Sequence, residues 1–324
     1  MLSNIVTIQE DFDKLEQYYR DPVNELRWNL VFTLPGWLKI WWQHFGTGYQ
    51  LYLKSVRLAG QIIGIAPLKI EKDTASFIGS NNVCDYLDFI TSPGKEKAFL
   101  NALLIDLTSN GIKRLKLESF RPDSVTNRHL LPLAEEQNLK FTVQPLDVSL
   151  DMELPGTWEE YLSKLDRKQR HEIRRKIRNL SEAGEVTYIV STNNEALMTF
   201  LDLFPESRKD KAAFMTPEMR SFFQSITQTF SNTGIARFGS LKLDGITVAM
   251  VMYFDYDNNV YLYNSAYSPD YRNLSVGIIS KAKSIENSIL EHKRRYDFLK
   301  GSEQYKYYLG GQEIPLYSSE IELD

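Results

Sequence analysis

The sequence predicts an α/β (α+β) protein of two tandem domains, each a mixed, mostly antiparallel sheet flanked by helices. Its 324 residues suit two domains better than one, and 43% of them are apolar, which is enough for a large core. Segments with strand and helix patterns alternate along the chain. The same order of elements also occurs twice, and self-similarity of this kind decides the architecture.

The repeat is defined by two matching hairpins, in which Gly60 and Gly245 hold the same place, so the shift is 245 − 60 = 185 residues. Under this shift five pairs of apolar residues align without a gap: Trp37 with Phe222, Trp41 with Ile226, Phe45 with Phe230, Leu58 with Leu243, and Ile63 with Val248. Chance can match one pair, but the ordered series favours a duplicated unit. We therefore expect domains at residues 1–153 and 154–324.

The first half begins with a short strand, a helix and then an aromatic helix from Pro35 to about Phe45. Tryptophans at helical spacing could line a ligand box, but they are more often core, because this spacing buries a large area. The hairpin at Gly60 follows, then short strands and a helix from about Lys95. Asp85 and Asp88 could face a cleft, but Asp is usually exposed, so we expect solvated carboxylates at a strand edge.

The second half opens with a basic helix, in which residues 164–178 carry eight Lys or Arg against Asp166 and Glu172. Thr157 and Glu160 form a capping-box pattern at its start, so a helix is expected here. A basic helix is either a solvated face or a surface that binds an anionic group such as a nucleotide phosphate. The sequence leaves both interpretations open.

A strand, a turn and a helix then follow each other between residues 260 and 290. The N–H groups and the dipole at a helix start suit a phosphate, but one glycine is a weak signal, and an ordinary strand-helix connection is the alternative. The first copy has TSPGKEKAF where the second has YRNLSVGII. We therefore expect the ligand site in the second half, while the first half contributes mostly packing and one wall of a cleft.

Composition excludes several classes of function. The 38 Lys and Arg nearly balance 42 Asp and Glu, so no global field attracts DNA or an anionic membrane. The single Cys84 excludes a disulfide framework, and the four histidines lack metal-ligand spacing, so no zinc site is expected. We read no membrane-spanning apolar run and no signal peptide, and we expect a cytoplasmic protein. No nucleophile elbow, Walker loop or full dinucleotide fingerprint occurs.

Four stretches carry a resemblance to a known family: LSKLDRKQRHEIRRKIRNL, SLKLDGITVAMVMYF, VYLYNSAYSPDYRNLSVGIISKA and YDFLKGSEQYKYYLG. Their order resembles the double-GNAT acyltransferases of the FemAB-like superfamily, and more narrowly the branch of cellulose and other polysaccharide-related acetyltransferases. The resemblance implies two GNAT folds, with acetyl-CoA or another acyl-CoA held by the second. The GNAT pyrophosphate loop reads Arg or Gln, two residues, Gly, one residue, Gly or Ala. The matching residues are Arg272, Asn273, Leu274, Ser275, Val276 and Gly277, with Ser275 replacing the first glycine.

Catalytic candidates follow from the same resemblance. In Fem ligases a lysine at the place of Lys306 is implicated in catalysis, which implies a role for Lys306 here. Acyl transfer needs a group that takes a proton, donors for the developing oxyanion, and a group that protonates or shields the thiolate. Asp297 or Glu303 is the expected base and Tyr305 the expected acid. The alternative is that Lys306 is a solvated surface lysine, because Lys is rarely buried.

Three functions remain open from the sequence. The first is acyl transfer from acyl-CoA to an amine or hydroxyl of a small molecule, a glycan or a peptide precursor. The second is a Fem-like peptidyl transfer from aminoacyl-tRNA, which is less favoured because the chain lacks the pair of long heptad helices that Fem ligases often carry. The third is a catalytically silent binding protein, against which the GSEQYK segment argues mildly.

Overall fold

The computed structural model describes residues 5–80 and 82–323. The chain forms two compact units: unit 1 runs up to Val148 and includes the C-terminal segment from Ile314, and unit 2 is Ser149–Glu313. Among the described residues, none of the helices combines the length and the apolar character needed to cross a membrane.

Unit 1 contains a sheet with the strand order β1-β2-β3-β4-β6-β13, and β5 pairs with β3. Only β4 and β6 are parallel; the other pairs whose register is known are antiparallel. Its strands are β1 (Ile5–Gln9), β2 (Gln50–Leu58), β3 (Gln61–Glu71), β4 (Thr74–Phe77), β5 (Ile90–Thr91), β6 (Arg114–Phe120) and most of β13 (Gln312–Glu322). Its helices are α1 (Phe12–Arg20), α2 (Pro35–Phe45), α3 (Glu96–Ser109) and α4 (Leu131–Glu136).

Unit 2 repeats this design with the order β7-β12-β11-β10-β9-β8, in which only β11 and β12 are parallel. Its strands are the end of β7 (Phe141–Glu153), β8 (Val186–Ser191), β9 (Ala236–Leu243), β10 (Ile246–Tyr256), β11 (Asn259–Tyr267) and β12 (Arg295–Lys300). Its helices are α5 (Trp158–Lys164), α6 (Arg167–Ala183), α7 (Asn194–Ser207), α8 (Lys209–Phe214), α9 (Pro217–Ser231), α10 (Val276–Leu290) and α11 (Gln304–Tyr308). The predicted fold class is therefore confirmed.

The duplicated hairpins are equivalent in the two units. The strands β3 and β10 are separated by 185 residues at both ends, and each pairs with the strand before it through a register shift. The aromatic helices also correspond, since Trp37 and Trp41 in α2 and Phe222 in α9 are almost completely buried. The tryptophan stripe is therefore core, as its helical spacing indicated.

The limits of the compact units differ from the predicted ranges 1–153 and 154–324. The first segment of unit 1 ends at Val148, and a second segment starts at Ile314, because β13 pairs antiparallel with β6. Residues 149–153 of β7 pair with β12 in unit 2. Each sheet is thus completed by a strand that lies far away in sequence. Two contiguous halves, as the repeat predicted, do not include this exchange at their boundaries.

The expectation that Asp88 is a solvated carboxylate is wrong. Asp88 is 9% exposed, and its two oxygens accept hydrogen bonds from the N–H groups of Val125 and Thr126 at 2.7 and 3.1 Å. The Thr126 hydroxyl donates a third bond at 2.9 Å. Burial raises the pKa of Asp88 to about 6, while these bonds favour its charged form. Asp88 therefore fixes the backbone after β6.

Candidate functional site

The candidate site begins where two parallel strands separate. β11 and β12 pair only over Asn259–Tyr261 and Arg295–Asp297. Beyond this point β11 continues to Tyr267 and β12 to Lys300, and a register shift in the pairing of β10 with β11 marks a bulge at Tyr263. The carboxyl ends of the two strands are therefore splayed, and the segments that follow them, the turn before α10 and the turn before α11, flank the opening.

The turn after β11 lies between a strand and a helix, as the sequence pattern predicted. A 3-10 helix, Pro269–Leu274, leads to Ser275, whose φ of 59° and ψ of 28° are left-handed. This region favours glycine and costs another residue roughly 1–2 kcal/mol, so Ser275 adopts a conformation that glycine takes more readily. The side chain of Ser275 makes no cap to α10, which leaves the first N–H groups of the helix without a side-chain acceptor from its N-cap.

The basic helix α6 packs along this turn. Its Lys176 donates a hydrogen bond from Nζ to Oγ of Ser275 at 3.0 Å, which places a cation beside the start of α10. Buried Leu180 of α6 packs with Val276 and Ile279 of α10 in one apolar cluster. At the other end of the inward face, the Gln169 side chain donates to the carbonyl of Tyr307 at 3.1 Å. One face of α6 thus spans both flanks of the opening.

The structure places Lys306 in the interior, so its prediction as a surface residue, the alternative to catalysis, is wrong. Lys306 is 2% exposed, and its Nζ donates to the carbonyls of Leu299, Lys300 and Gly301 at 3.1, 2.6 and 3.0 Å. The same ammonium lies 2.8 Å from a carboxylate oxygen of Glu303, whose side chain is half exposed. Lys306 therefore holds the backbone turn that leads from β12 to α11.

Asp297 has a structural position as well. It is 2% exposed, and Oδ1 accepts a hydrogen bond from the N–H of Leu299 at 2.8 Å. Leu299 has a φ of 63° and lies at a register shift between β12 and β7. A left-handed leucine is costly unless its surroundings hold it, and here Asp297 binds its N–H while Lys306 binds its carbonyl.

Tyr305 and the start of α10 are joined by a lysine that the sequence analysis missed. Nζ of Lys281 lies 4.7 Å from the ring centroid of Tyr305 and donates to the carbonyl of Gly277 at 2.9 Å. Burial and, to a smaller extent, the charge of Lys211 lower the pKa of Lys281 to about 7, while Glu303 opposes the change. Helical spacing was the available signal, because Lys281 lies four residues before the buried Ile285.

Among the predicted residues, the structure therefore brings the turn 272–277 and Tyr305 together through Lys281, and it brings Glu303 and Lys306 together as an ion pair. Asp297 lies on the strand between them with one oxygen committed to the backbone. Gly277 leaves little room, since a Cβ there would lie 3.3 Å from Cδ1 of Tyr267.

The outward face of α6 forms a second feature of unit 2. A cavity of about 620 Å³ is lined only by basic residues of this helix, namely Arg167, Lys168, Arg170, His171 and Arg174. Arg174 forms an exposed ion pair with Glu159 at 2.6 Å. Within the described residues Arg167, Lys168 and His171 make no ion pair. The outer face is thus positively charged, whereas the inner face packs against the site.

A third feature of unit 2 is a cavity of about 570 Å³ with a mixed lining. It includes the carboxylates of Asp151 and Glu153, the cations of Lys164 and Arg295, and the Tyr161 ring. Nη1 of Arg295 lies 3.2 Å from the carboxylate of Asp151. This cavity lies at the amino end of β12, away from the splayed ends of β11 and β12.

Comparisons with known proteins agree with this geometry. Residues 167–307, from the first residue of α6 to α11, match the family described as acetyltransferase (GNAT) domain. No curated protein matches the chain. The chain has a tandem GNAT-like fold. The match covers the splayed strands, the turn before α10 and the Lys306 segment, which are the parts of unit 2 that form the candidate site.

Solved structures support the GNAT-like fold over almost the whole chain. The structure of FemX has a TM-score of 0.67 and 14% identity, and the match covers 97% of this chain and 96% of FemX. L-PGS from Bacillus licheniformis has a TM-score of 0.55, with 10% identity over 87% of this chain and 90% of that chain. A GNAT-family acetyltransferase from Colwellia psychrerythraea has a TM-score of 0.52, with 10% identity over 98% and 99%. At these identities the likeness concerns the fold, and the narrower polysaccharide-related branch stays a prediction.

Proposed function

We propose that unit 2 is an acyltransferase domain that binds acyl-CoA in the opening between β11 and β12. The observation that carries this proposal is the left-handed Ser275 at the start of α10, with Lys176 beside it. The free N–H groups of a helix start bind a diphosphate, and the ammonium of Lys176 adds a cation at the same place. The pyrophosphate of CoA would then lie at residues 272–277, with its thioester end towards Tyr305.

The reaction would join the acyl carbon to a nitrogen or oxygen of the acceptor and break the carbon–sulfur bond of the thioester. Glu303 is the best placed base, because it is the half-exposed carboxylate of this region and can take the acceptor's proton. The Tyr305 hydroxyl would protonate the leaving thiolate. Lys306 binds three carbonyls, so we assign it the task of holding the 299–301 turn and orienting Glu303. Asp297 supports the same turn through Leu299.

For the acceptor we propose only a chemical class. The resemblance to the FemAB-like superfamily, including its polysaccharide-related branch, favours an amine or hydroxyl on a glycan or on a peptide precursor. A screen of amine and hydroxyl acceptors, with release of free CoA thiol as the readout, would identify the class.

Binding of the donor is tested by calorimetry with acetyl-CoA on the parent and on two variants of Gly277. Gly277→Asp adds a negative charge at the proposed pyrophosphate site and should weaken binding at least tenfold, about 1.4 kcal/mol. Gly277→Ala adds only a Cβ at 3.3 Å from Tyr267 and serves as the packing control, with a loss of at most about threefold, under 1 kcal/mol. Equal losses in both variants would assign the effect to packing, and an absence of binding in the parent would refute the proposal.

A second donor class, aminoacyl-tRNA, is favoured by one observation, the basic outer face of α6. Arg167, His171, Arg174 and Arg178 follow at three- and four-residue spacing, so basic side chains recur about every 5–6 Å along one face. Phosphodiester backbones bind such faces with strong salt dependence. If tRNA is the donor, the triple variant R167Q/K168Q/H171Q should lose tRNA affinity in filter binding and the slope with salt should fall, while its acetyl-CoA affinity stays unchanged.

A further inference from the structure

The open edge of β11 is covered by the corner between α7 and α8. The N–H of Tyr267 donates to Oγ of Ser207 at 2.8 Å, and Nζ of Lys211 donates to the carbonyl of Ser265. The N–H of Ser268 donates to the carbonyl of Val248 in β10. Because backbone groups alternate between the two edges of a strand, residues 265 and 267 point away from β10, towards the side from which β12 has diverged.

Residues 207–211 therefore bind the backbone N–H and carbonyl groups of β11 that β12 leaves unpaired after the two strands diverge. An unpaired strand edge is a template for any extended chain with amide groups, and proteins usually cover such an edge. Here the cover consists of two side chains rather than a strand. One serine hydroxyl and one ammonium satisfy the N–H of Tyr267 and the carbonyl of Ser265.

The cover has few buried side chains: Ser207 is buried, and the Phe214 ring contacts the rings of Phe204 and Phe223. The helix α8 has six residues, none of them buried, and its start has no side-chain cap. Pro205 near the end of α7 removes one backbone N–H just before the corner. A segment with few buried contacts opens at low cost in free energy. The residues that anchor it, Ser207 and Lys211, are thus the main polar links between this corner and β11.

The anchoring ammonium is itself in an unfavourable environment. Nζ of Lys211 lies 4.8 Å from the ring centroid of Phe204, and among residues 5–80 and 82–323 no carboxylate lies within ion-pair distance of it. Burial and, to a smaller extent, the charge of Arg208 lower the pKa of Lys211 to about 8, while Asp210 and Glu303 oppose the change. The nearby Asp210 is bound to Arg208 at 2.9 and 3.0 Å. The contact with Ser265 is therefore one that a better partner can replace.

We propose that residues 207–214 are a displaceable cover of the donor site, and that the acyl donor binds by releasing Lys211 from Ser265 and Ser207 from Tyr267. The proposal rests on acyl-CoA as the donor. The pantetheine arm of CoA contains two amides, and an extended amide chain pairs with a strand edge through the same N–H and carbonyl groups. Closed cover and bound donor thus exclude each other on β11, and the donor affinity of the open state is multiplied by the fraction of molecules whose cover is open.

Calorimetry with acetyl-CoA on two anchor variants tests the exclusion. Ser207→Ala and Lys211→Ala each remove one link of the closed cover, so each should tighten binding at least threefold. Lys209→Ala, on the same helix but exposed and without a described contact, is the matched control and should bind like the parent. Weaker binding in Lys211→Ala with no change in Ser207→Ala would make Lys211 a ligand of the donor and overturn the cover.

Hydrogen exchange supplies a readout that does not depend on affinity. The amides of Ala212 and Met215 bond to the carbonyls of Arg208 and Lys211, so they report on the closed corner. Addition of acetyl-CoA should make these amides exchange faster while the amide of Tyr267 stays protected. Donor binding with unchanged exchange in 212–215 would refute the cover alone. If acetyl-CoA binds neither the parent nor the two anchor variants, the proposed donor fails and the cover fails with it.

Discussion

The two units share one sheet design but treat the splay of their parallel strands differently. In each unit the parallel pair extends over three residues, β4 with β6 and β11 with β12. In unit 1 the strand β4 stops at Phe77, and Nζ of buried Lys69 binds the carbonyls of Phe77 and Gly79 at 2.5 and 2.7 Å. The Trp41 ring lies 4.7 Å from the same ammonium. Unit 1 therefore places a buried ammonium where unit 2 has a strand edge bound by two side chains, and a cavity of about 190 Å³ remains beside that ammonium.

The connection to the following helix differs as well. In unit 1 the role of β11 is shared by β4 and β5, which pair with the same strand β3 but are separated by residues 78–89. The connection from β5 to α3 is the four residues 92–95, whereas unit 2 uses the eight residues 268–275 with left-handed Ser275 before α10. The two copies of the scaffold thus share the splayed parallel pair but differ in the length of the turn that follows and in the lysine buried beside it.

Lys306→Met should produce the largest effect, and it tests the buried lysine that holds the turn after β12 in unit 2. Loss of the ammonium leaves three carbonyls of the 299–301 turn without their donor and frees Glu303. We expect turnover to fall at least about a hundredfold, since loss of a group that orders a catalytic site acts on this scale. The measurement is CoA thiol release with the acceptor found by screening. Turnover within about twofold of the parent, well under 1 kcal/mol, would remove Lys306 from the machinery.

Lys69→Met is the matched change in unit 1. Two buried carbonyls, those of Phe77 and Gly79, lose their donor, so the free energy of unfolding should fall by about 2 kcal/mol. Urea denaturation measures this loss. Acetyl-CoA affinity and turnover of the folded protein should equal those of the parent, because unit 1 holds no donor in the proposed function. A loss of donor affinity as large as that of Gly277→Asp would contradict the assignment of donor binding to unit 2 alone.

Lys281→Met tests the buried lysine of unit 2 through pH. The folded protein loses the proton of Lys281 near pH 7, whereas the unfolded chain keeps it up to the ordinary pKa of 10.5. The unfolded state therefore binds more protons between these values, and the parent's free energy of unfolding rises with pH there, by about 1 kcal/mol for each pH unit. The variant should lack this contribution. Denaturation curves at pH 7.5 and 8.5 measure the difference, and parallel pH profiles for the two proteins would contradict the assignment.

Lys176→Gln should give the smallest effect. Its ammonium lies beside Ser275 at the proposed pyrophosphate site but is partly exposed, so the loss of acetyl-CoA affinity should be about fivefold, ~1 kcal/mol. Lys168→Gln, on the outer face of the same helix, is the control and should leave the affinity as it is. Calorimetry decides between them, and equal losses in both would indicate general attraction by α6 instead of a contact at the turn.

The sequence anticipated those parts of the site that depend on neighbouring residues. The turn at 272–277 was predicted from its position between a strand and a helix, and Ser275 was marked as the departure from the glycine pattern. Lys176 was counted only as one cation of the basic helix, and Lys211 and Lys281 were missed, because their partners Ser265 and Tyr305 lie in other elements. Asp88 was misjudged for the same reason, since its partners at 125 and 126 lie 37 and 38 residues further along.

The sequence by itself determined the elements and their duplication. Helical and strand periodicity are local properties, and a gapless shift of 185 residues preserves them in both copies of the hairpin. Only the tertiary structure decided which strand completes each sheet, which lysine lies beside the splayed strands, and which strand edge is bound by side chains instead of by another strand. Those outcomes depend on which groups meet after the chain closes long loops. The carbonyls, rings and helices packed around a buried ammonium or a strand edge determine what each can bind.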